Sequence, residues 1–371
     1  MIHYENASRG NEGFNTHVLS YTLAVSLSNF LERDLYFSFE IPSSTPPDYL
    51  SNEGFRDRFS ILIESERSLV SDLLELSVRK VEEFDLSSPR KLELQLVYSY
   101  FVTTDVMKQR FGGTMIWDSF GVGRIGLTRE YMQQFDLIEW THTKLSHANV
   151  FYFLPKAEKN DLLDTIKLYY SEPIERLASK INAQLGSFDA VHLRFGDFEQ
   201  IYRSDDFKID ADVFARFARF AFPERDIPIL IATDGLQERE FFQRIFDGHR
   251  LTFIDELIFT DFFEDFRCLP FTDFNVLTVL NQLICAAANR FVGTYRSTFT
   301  GIIHRLRQER NVSRDIDFFP DDKVMRVMSD EFRITPDRHG FFDWNRYSVF
   351  AEEHSDLAWK REWDRQLSAL D

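Results

Sequence analysis

From Phe188 onward the chain alternates short apolar runs with helical segments, and no other feature constrains its fold as tightly. The apolar runs are Phe188–Leu193, Ile227–Ala232, Leu251–Ile254 and Arg290–Val292. Ala211–Phe222, Gln237–Phe246, Asn275–Ala288 and Ser297–Gln308 carry their apolar residues at helical spacing. Strands that alternate with helices in this way predict a parallel sheet covered on both faces. Ligands of such sheets bind outside the carboxyl ends of the strands. The polar residues of interest fall at those ends: His192 and Arg194, Thr233 and Asp234, and the stretch from Gly293 to Thr298.

The preceding half is less regular. Ile2–Tyr4 reads as a strand, Arg9–Gly13 as a turn, Thr16–Leu31 as a helix and Leu35–Phe39 as a strand. Ser43–Pro47 is a loop, and long amphipathic stretches follow at Ser65–Phe84 and Lys91–Arg110. Gly112, Gly113, Gly121, Gly123 and Gly126 cluster around Trp117, as a structural loop or the lining of a groove. Asp161–Leu185 is expected to form a long helix bridging to the second half. Tyr347–Leu370 is an amphipathic helix with Trp359 and Trp363, placed to cross back onto the first half.

A chain of 371 residues has the length of two ordinary domains, each able to build a core without staples. Its 39 phenylalanines predict aromatic packing in those cores. The formal net charge of −17 argues against a nucleic-acid partner and against an anionic membrane surface. Two cysteines, Cys268 and Cys285, make no disulfide framework. No basic region followed by an apolar stretch opens the chain, and no 18-residue apolar span occurs, so the expected location is the cytoplasm.

Four pieces can carry chemistry. In Phe291–Arg307 an apolar strand turns at Gly293 and Thr294 and re-enters a helix at Ser297 and Thr298. That arrangement presents free backbone N–H groups to an anion. From Arg290 to Arg314 there are six arginines and one acid, Glu309, a basic patch that fits either a bound diphosphate or a solvated helix face. In Val191–Phe198, Arg194 follows a buried strand, where its planar fork can grip phosphate oxygens, and Asp197 can orient it. His192, within that strand, suits a core histidine or a ligand contact. At Ile229–Gly235 an apolar strand ends in Thr-Asp-Gly, with Asp234 as a helix cap or a site residue. At Glu12–Asn15 a carboxylate beside Gly13 enters a helix, as a general base or as a charge suited to the helix dipole. Asn281 and Gln282 are polar within an apolar helix and either satisfy a buried contact or reach a ligand. No metal-binding cluster is legible: Asp210 and Asp212 open a helix, where capping explains them.

Taken in order, these pieces resemble the protein O-fucosyltransferase superfamily, and within it the type that modifies thrombospondin-like repeats. The matching elements are the Glu-Gly-Phe-Asn turn at Glu12–Asn15, the His-x-Arg-x-x-Asp of His192, Arg194 and Asp197, the Ala-Thr-Asp of Ala232–Asp234, and Phe291–Phe299. The resemblance implies an α/β GT-B architecture of two Rossmann-like domains facing a cleft. Residues 1–175 would form the acceptor-side domain, 186–345 the nucleotide-sugar domain, and 346–371 the returning helix. It also implies inverting, metal-independent transfer of fucose from GDP-fucose to a hydroxyl of a protein, peptide or glycan, with no cofactor. Arg194 would stabilise the leaving diphosphate and Glu12 would be the base. Gly13, Phe14, Asn15, His192, Asp197, Asp234, Asn281, Thr294, Ser297, Thr298 and Phe299 would bind the donor, Phe299 near the guanine.

Two departures stand out. The family commonly carries an Asp before the Gln of the helix preceding its last motif, where it reads the guanine edge; here that position is Asn281. An amide offers one acceptor where a carboxylate accepts from both the N1–H and the exocyclic amine. Phe195 stands where many relatives have a second Arg. Another nucleotide-deoxysugar donor, or a non-catalytic nucleotide-sugar-binding protein, are the alternatives these departures leave. A nicotinamide dehydrogenase fits less well, because none of the strands read from the sequence leads into a Gly-x-Gly-x-x-Gly turn; the run Gly121–Gly126 has that spacing but lies in the glycine cluster.

Overall fold

The computed structural model describes residues 2–6, 14–15, 18, 28–37, 79–80, 90–96, 129–142, 170–195, 214–215, 218, 221–234, 239–270, 272–294, 297–309 and 315–318. They divide into two units, with the chain passing from the first to the second between Ser171 and Glu172. Each unit is built on a five-stranded sheet, and all pairs in both sheets are parallel.

In the first unit the sheet order is β3-β2-β1-β5-β4, from β1 (Ile2–Asn6), β2 (Leu35–Phe37), β3 (Arg79–Lys80), β4 (Lys91–Leu96) and β5 (Leu137–His142). Three of these strands correct the reading of the sequence, the edge strand β3 falling inside the amphipathic stretch read at Ser65–Phe84. Lys91–Leu96, taken as the start of an amphipathic stretch, is the edge strand β4; its Lys-Leu-Glu-Leu-Gln-Leu alternation has the two-residue period of a strand. Leu137–His142 was not anticipated, yet it pairs with both β1 and β4. The short helix α1 (Arg129–Gln133) precedes it.

In the second unit the order is β10-β9-β6-β7-β8, from β6 (Asp189–Leu193), β7 (Ile229–Thr233), β8 (Leu251–Phe253), β9 (Phe291–Thr294) and β10 (Asp315–Phe318). The four strands read from the sequence are present, and β10 is a fifth. The helix α2 is Glu172–Leu185, shorter than the Asp161–Leu185 read from the sequence: Tyr170 is already in a bridge and not in the helix. The chain lays down β6, β7 and β8 in one direction, then returns to place β9 on the other side of β6. Strand order therefore reverses between β6 and β9, and such a reversal leaves a crevice at the carboxyl edge.

Side chains of β6 alternate between two packed faces, and all five of its residues are buried. Val191 and Leu193, with Ile229, Ile231 and Val292, point into an aromatic core. Phe214, Phe222, Phe241, Phe242, Phe246 and Phe253 fill it, mostly in edge-to-face pairs such as Phe241–Phe242 at 5.4 Å and 90°. Edge-to-face packing sets the positive rim of one ring against the negative face of the next. The other face meets the apolar helix α6 (Phe274–Ala286), which packs against α2 and α7 (Thr298–Glu309). Asp273 caps α6, accepting from the backbone N–H of Asn275 at 2.8 Å and Val276 at 3.1 Å. The helices α3 (Arg239–Ile245), α4 (Ile254–Asp261) and α5 (Phe263–Arg267) complete the unit as described. Among the described residues, no helix is long and apolar enough to cross a membrane.

Asp189 begins β6 at the amino edge of the sheet and is 1% exposed. Burial pushes its carboxyl up to about 6 from an ordinary 3.8, against the opposing hydrogen bond from the Arg290 N–H and the Arg290 charge. The folded chain therefore holds a proton that the unfolded chain has released between these two values. Stability is expected to fall as pH rises from about 4 to 6. An Asp189→Asn variant, which can still accept from Arg290, should lose that slope in urea titrations across the same range. An unchanged slope would assign the pH dependence to another group.

Candidate nucleotide-diphosphate site

The ends of β6, β7 and β9 are fastened together by side chains that the sequence places far apart. The Thr294 hydroxyl donates to the His192 carbonyl at 2.9 Å and accepts from the Arg194 N–H at 3.0 Å. This ties the last residue of β9 to the end of β6. Asp234, just past β7, does the same from the other side. One carboxylate oxygen accepts from the Phe195 N–H at 2.8 Å, and the other lies 3.9 Å from Arg194 Nε. The Arg194 and Asp234 side chains are 27% and 28% exposed, so the pair stands at the surface of the carboxyl edge. Arg194 thus sits beside the reversal between β6 and β9, its backbone clamped and its side chain oriented by Asp234.

The strand β9 runs through Gly293 and Thr294, where the sequence suggested a turn. His192 and Gly293 are register partners on the face turned toward α7. A Cβ on Gly293 would lie 2.2 Å from the Thr300 methyl and 2.8 Å from its hydroxyl, so the glycine is what lets α7 approach the sheet. The Thr300 hydroxyl is 2.8 Å from His192 Nδ1, and the Phe299 ring stacks on the imidazole at 4.3 Å and 24°. Burial, helped by the Arg194 and His304 charges, holds the imidazole down at about 3, so His192 is neutral over the physiological range. Its bonds within this cluster are those of an uncharged ring.

Ser297 immediately precedes α7, a 12-residue helix whose first backbone N–H groups have no partner within the helix. Its N–H donates to the Thr294 carbonyl at 3.3 Å and its carbonyl accepts from Gly301 at 2.9 Å. Its hydroxyl is buried with no hydrogen-bond partner among the described residues. An unsatisfied buried hydroxyl costs about 1–3 kcal/mol, a cost that a phosphoryl oxygen accepting from it would remove. Thr298 opens the same helix.

The basic patch divides in a way the sequence did not show. Arg290 donates to the Ala221 carbonyl and to Glu224, and the fully buried Arg307 donates to the carbonyls of Ala286, the last residue of α6, and of Ala288 and Asn289 beyond it. Both therefore serve the amino edge, away from the reversal. Arg307 satisfies the carbonyls that a helix C-terminus leaves open. Of the anion argument, the strand-to-helix geometry stands, whereas these two arginines do not belong to it.

Phe195, where a second Arg was looked for, makes edge contacts with Phe241 and Phe242 at 5.4 and 5.9 Å. It closes the aromatic core directly beneath Arg194. In α6, Asn281 donates its amide hydrogens to Asp255 at 2.7 Å and to the Leu277 carbonyl at 2.9 Å. Asp255 and Thr300 went unnoticed in the sequence. Asp255 looks there like any acid in a first helical turn, and Thr300 simply follows the last motif.

Arg194, His192, Asp234, Thr294, Ser297 and Phe299 therefore share one edge of one sheet. Thr294 does so as a clamp, its hydroxyl already engaged on both sides. Phe14 and Asn15 are buried in a helical turn of the first unit, Phe14 as part of its core. Glu12, Gly13, Asp197, the glycine cluster around Trp117 and the helix expected at Tyr347–Leu370 lie outside the described residues.

No family model and no curated protein matches the chain. Among solved structures it is similar to POFUT1 in complex with GDP-fucose, at 14% identity and a TM-score of 0.48, over 86% of this chain and 98% of that one. It is similar to an Arabidopsis thaliana FUT1 mutant in complex with GDP, at 9% identity and a TM-score of 0.45, over 87% and 71% of the two chains. It is also similar to the fucosyltransferase NodZ from Bradyrhizobium, at 11% identity and a TM-score of 0.43, over 85% and 95%.

Proposed function

We propose that the chain is an inverting glycosyltransferase that moves fucose from GDP-fucose to an acceptor hydroxyl on a protein, peptide or glycan. The observation that carries this reading is the grouping of Arg194 with the α7 N-terminus and the unpartnered Ser297 hydroxyl at one strand-order reversal. A fixed guanidinium, backbone N–H groups and a hydroxyl donor are what a departing diphosphate requires. The motif order from Glu12–Asn15 through Phe291–Phe299 supports the same reading, with the two parallel-sheet units as the halves of a GT-B enzyme.

In the reaction the acceptor oxygen attacks the anomeric carbon while the bond from that carbon to the β-phosphate oxygen breaks. Glu12 takes the acceptor proton, and the diphosphate leaves with the bonding electrons. Arg194, held by Asp234, meets the charge that develops on the leaving oxygens, and Ser297 donates to them. This positive potential comes from the chain itself, so the step needs no divalent ion.

Thermal melting with GDP, UDP and dTDP tests the donor. GDP is expected to raise the melting temperature most, because a ligand stabilises only the state that binds it. An absent response to GDP, or one equal to the other two, would sink the fucose reading. Release of fucose from GDP-fucose without acceptor separates an enzyme from a binding protein on the same scaffold.

A further inference from the structure

Thr300 and His192 lie 108 residues apart in sequence, and the Thr300 hydroxyl stands 2.8 Å from Nδ1 of the ring. Both side chains are buried, at 3% and 5% exposed. A hydroxyl has one hydrogen to place, and among the described residues Nδ1 is the acceptor within its reach. If Nδ1 carried a proton, it would donate to the hydroxyl oxygen and leave the hydroxyl hydrogen buried with nothing to accept it. Such an orphan disfavours that arrangement by about ten-fold or more. Turning the ring over would set a carbon against the hydroxyl and orphan it in the same way. The Thr300 hydroxyl therefore donates to Nδ1, and the imidazole proton sits on Nε2. Burial and the neighbouring Arg194 and His304 charges act in the same direction, since each opposes a second ring proton. Phe299 stacks on the ring and fixes its plane. On the side of the ring away from Thr300, Nε2 has no hydrogen-bond partner among the described residues. His192 is close enough to Arg194 to feel its charge, and the helix that packs on it begins beside the unpartnered Ser297 hydroxyl.

We propose that Thr300 is a positioning residue that holds His192 with its proton on Nε2, as an N–H donor beside Arg194 for an anion at the carboxyl edge. The inference rests on the nucleotide-sugar reading above, in which that anion is the diphosphate. The opposite tautomer would present a lone pair, which phosphoryl oxygens repel. An imidazolium would attract them, but its charge would come and go with pH, whereas this donor is present throughout the physiological range. The glycine at 293 permits the arrangement, because a Cβ there would displace Thr300.

Nitrogen NMR of the full chain, labelled in its histidine rings, tests the tautomer, with His192→Ala identifying the signals. Nε2 should be protonated, and Nδ1 unprotonated and hydrogen-bonded. Thr300→Val keeps the shape and removes the hydroxyl, so the Nδ1 signal should move as that of a nitrogen that has lost a hydrogen bond. Calorimetric titration with GDP and with pyrophosphate measures the consequence. Thr300→Val should bind both about ten-fold more weakly, and Thr300→Ser should restore both the affinity and the Nδ1 signal. In a His192→Ala background Thr300→Val should cost nothing more, because the hydroxyl acts through the ring. A merely structural role would lower the melting temperature of Thr300→Val and leave the affinity of the folded protein unchanged. That result overturns the inference, as does a Thr300→Ser variant that restores nothing. A proton on Nδ1 in a chain that binds GDP sinks this inference alone. If the unaltered chain binds neither GDP nor pyrophosphate, the nucleotide-sugar reading falls and this inference with it.

Discussion

Replacing Arg194 with alanine is expected to lower the rate of sugar transfer by about 10³-fold, the scale for losing one fixed donor to a developing charge. The argument rests on where the structure holds this side chain. Its backbone N–H is fastened to Thr294, its Nε faces Asp234 at 3.9 Å, and about a quarter of it remains exposed at the reversal between β6 and β9. The variant should keep its melting temperature, because the pair is 3.9 Å apart at the surface and such pairs contribute little to stability. GDP affinity should fall too, since the diphosphate carries most of its charge before the bond breaks as well as after. Arg194→Lys should recover little, a point charge being unable to reproduce the planar fork. Glu12→Ala should separate from this behaviour, abolishing transfer while leaving GDP binding near normal. Normal turnover in Glu12→Ala would remove it as the base, and normal GDP affinity in Arg194→Ala would remove Arg194 from the phosphate.

Gly293→Ala is expected to destabilise the second unit by about 3 kcal/mol, at the upper end for inserting one methyl into a packed interior. A Cβ there meets the Thr300 methyl at 2.2 Å, and the Phe291 ring stands 3.0 Å away on another side. The strand and the first turn of α7 must move apart. That shift would take Thr300 from His192 and unstack Phe299, so nucleotide affinity should fall along with stability. Elsewhere the same change commonly stabilises by limiting the unfolded chain, so the sign is informative. Adding Thr300→Ala removes the colliding methyl and hydroxyl and should recover much of the loss in urea unfolding. Strict additivity of the two changes would show that contact with Thr300 is not the cause.

Local features of the sequence were reliable where one period ruled. Val191 and Leu193 could be assigned to a buried strand because both neighbouring faces are packed, and β7 and α6 followed for the same reason. The alternation of Lys91–Leu96 was equally legible but was read as part of a longer amphipathic stretch. Leu137–His142 breaks its apolar pattern with Glu139 and Thr141, so only its pairing with β1 and β4 reveals it. The arginines show a different limit. Charge density from Arg290 to Arg314 suggested one anion patch, but Arg290 and Arg307 point to carbonyls on the opposite edge. Charge counts along a chain carry no direction.

The alternation of β6, β7, β8 and β9 with helices, and the aromatic core they cover, were determined by the sequence itself, because hydrophobic period acts between near neighbours. Tertiary structure alone decided which polar groups face a ligand. Thr294 reaches back about a hundred residues to clamp Arg194, Asp234 crosses from β7 to orient it, and Thr300 closes on His192. Each partner is chosen by strand order and helix packing, which bring together groups that no local pattern relates.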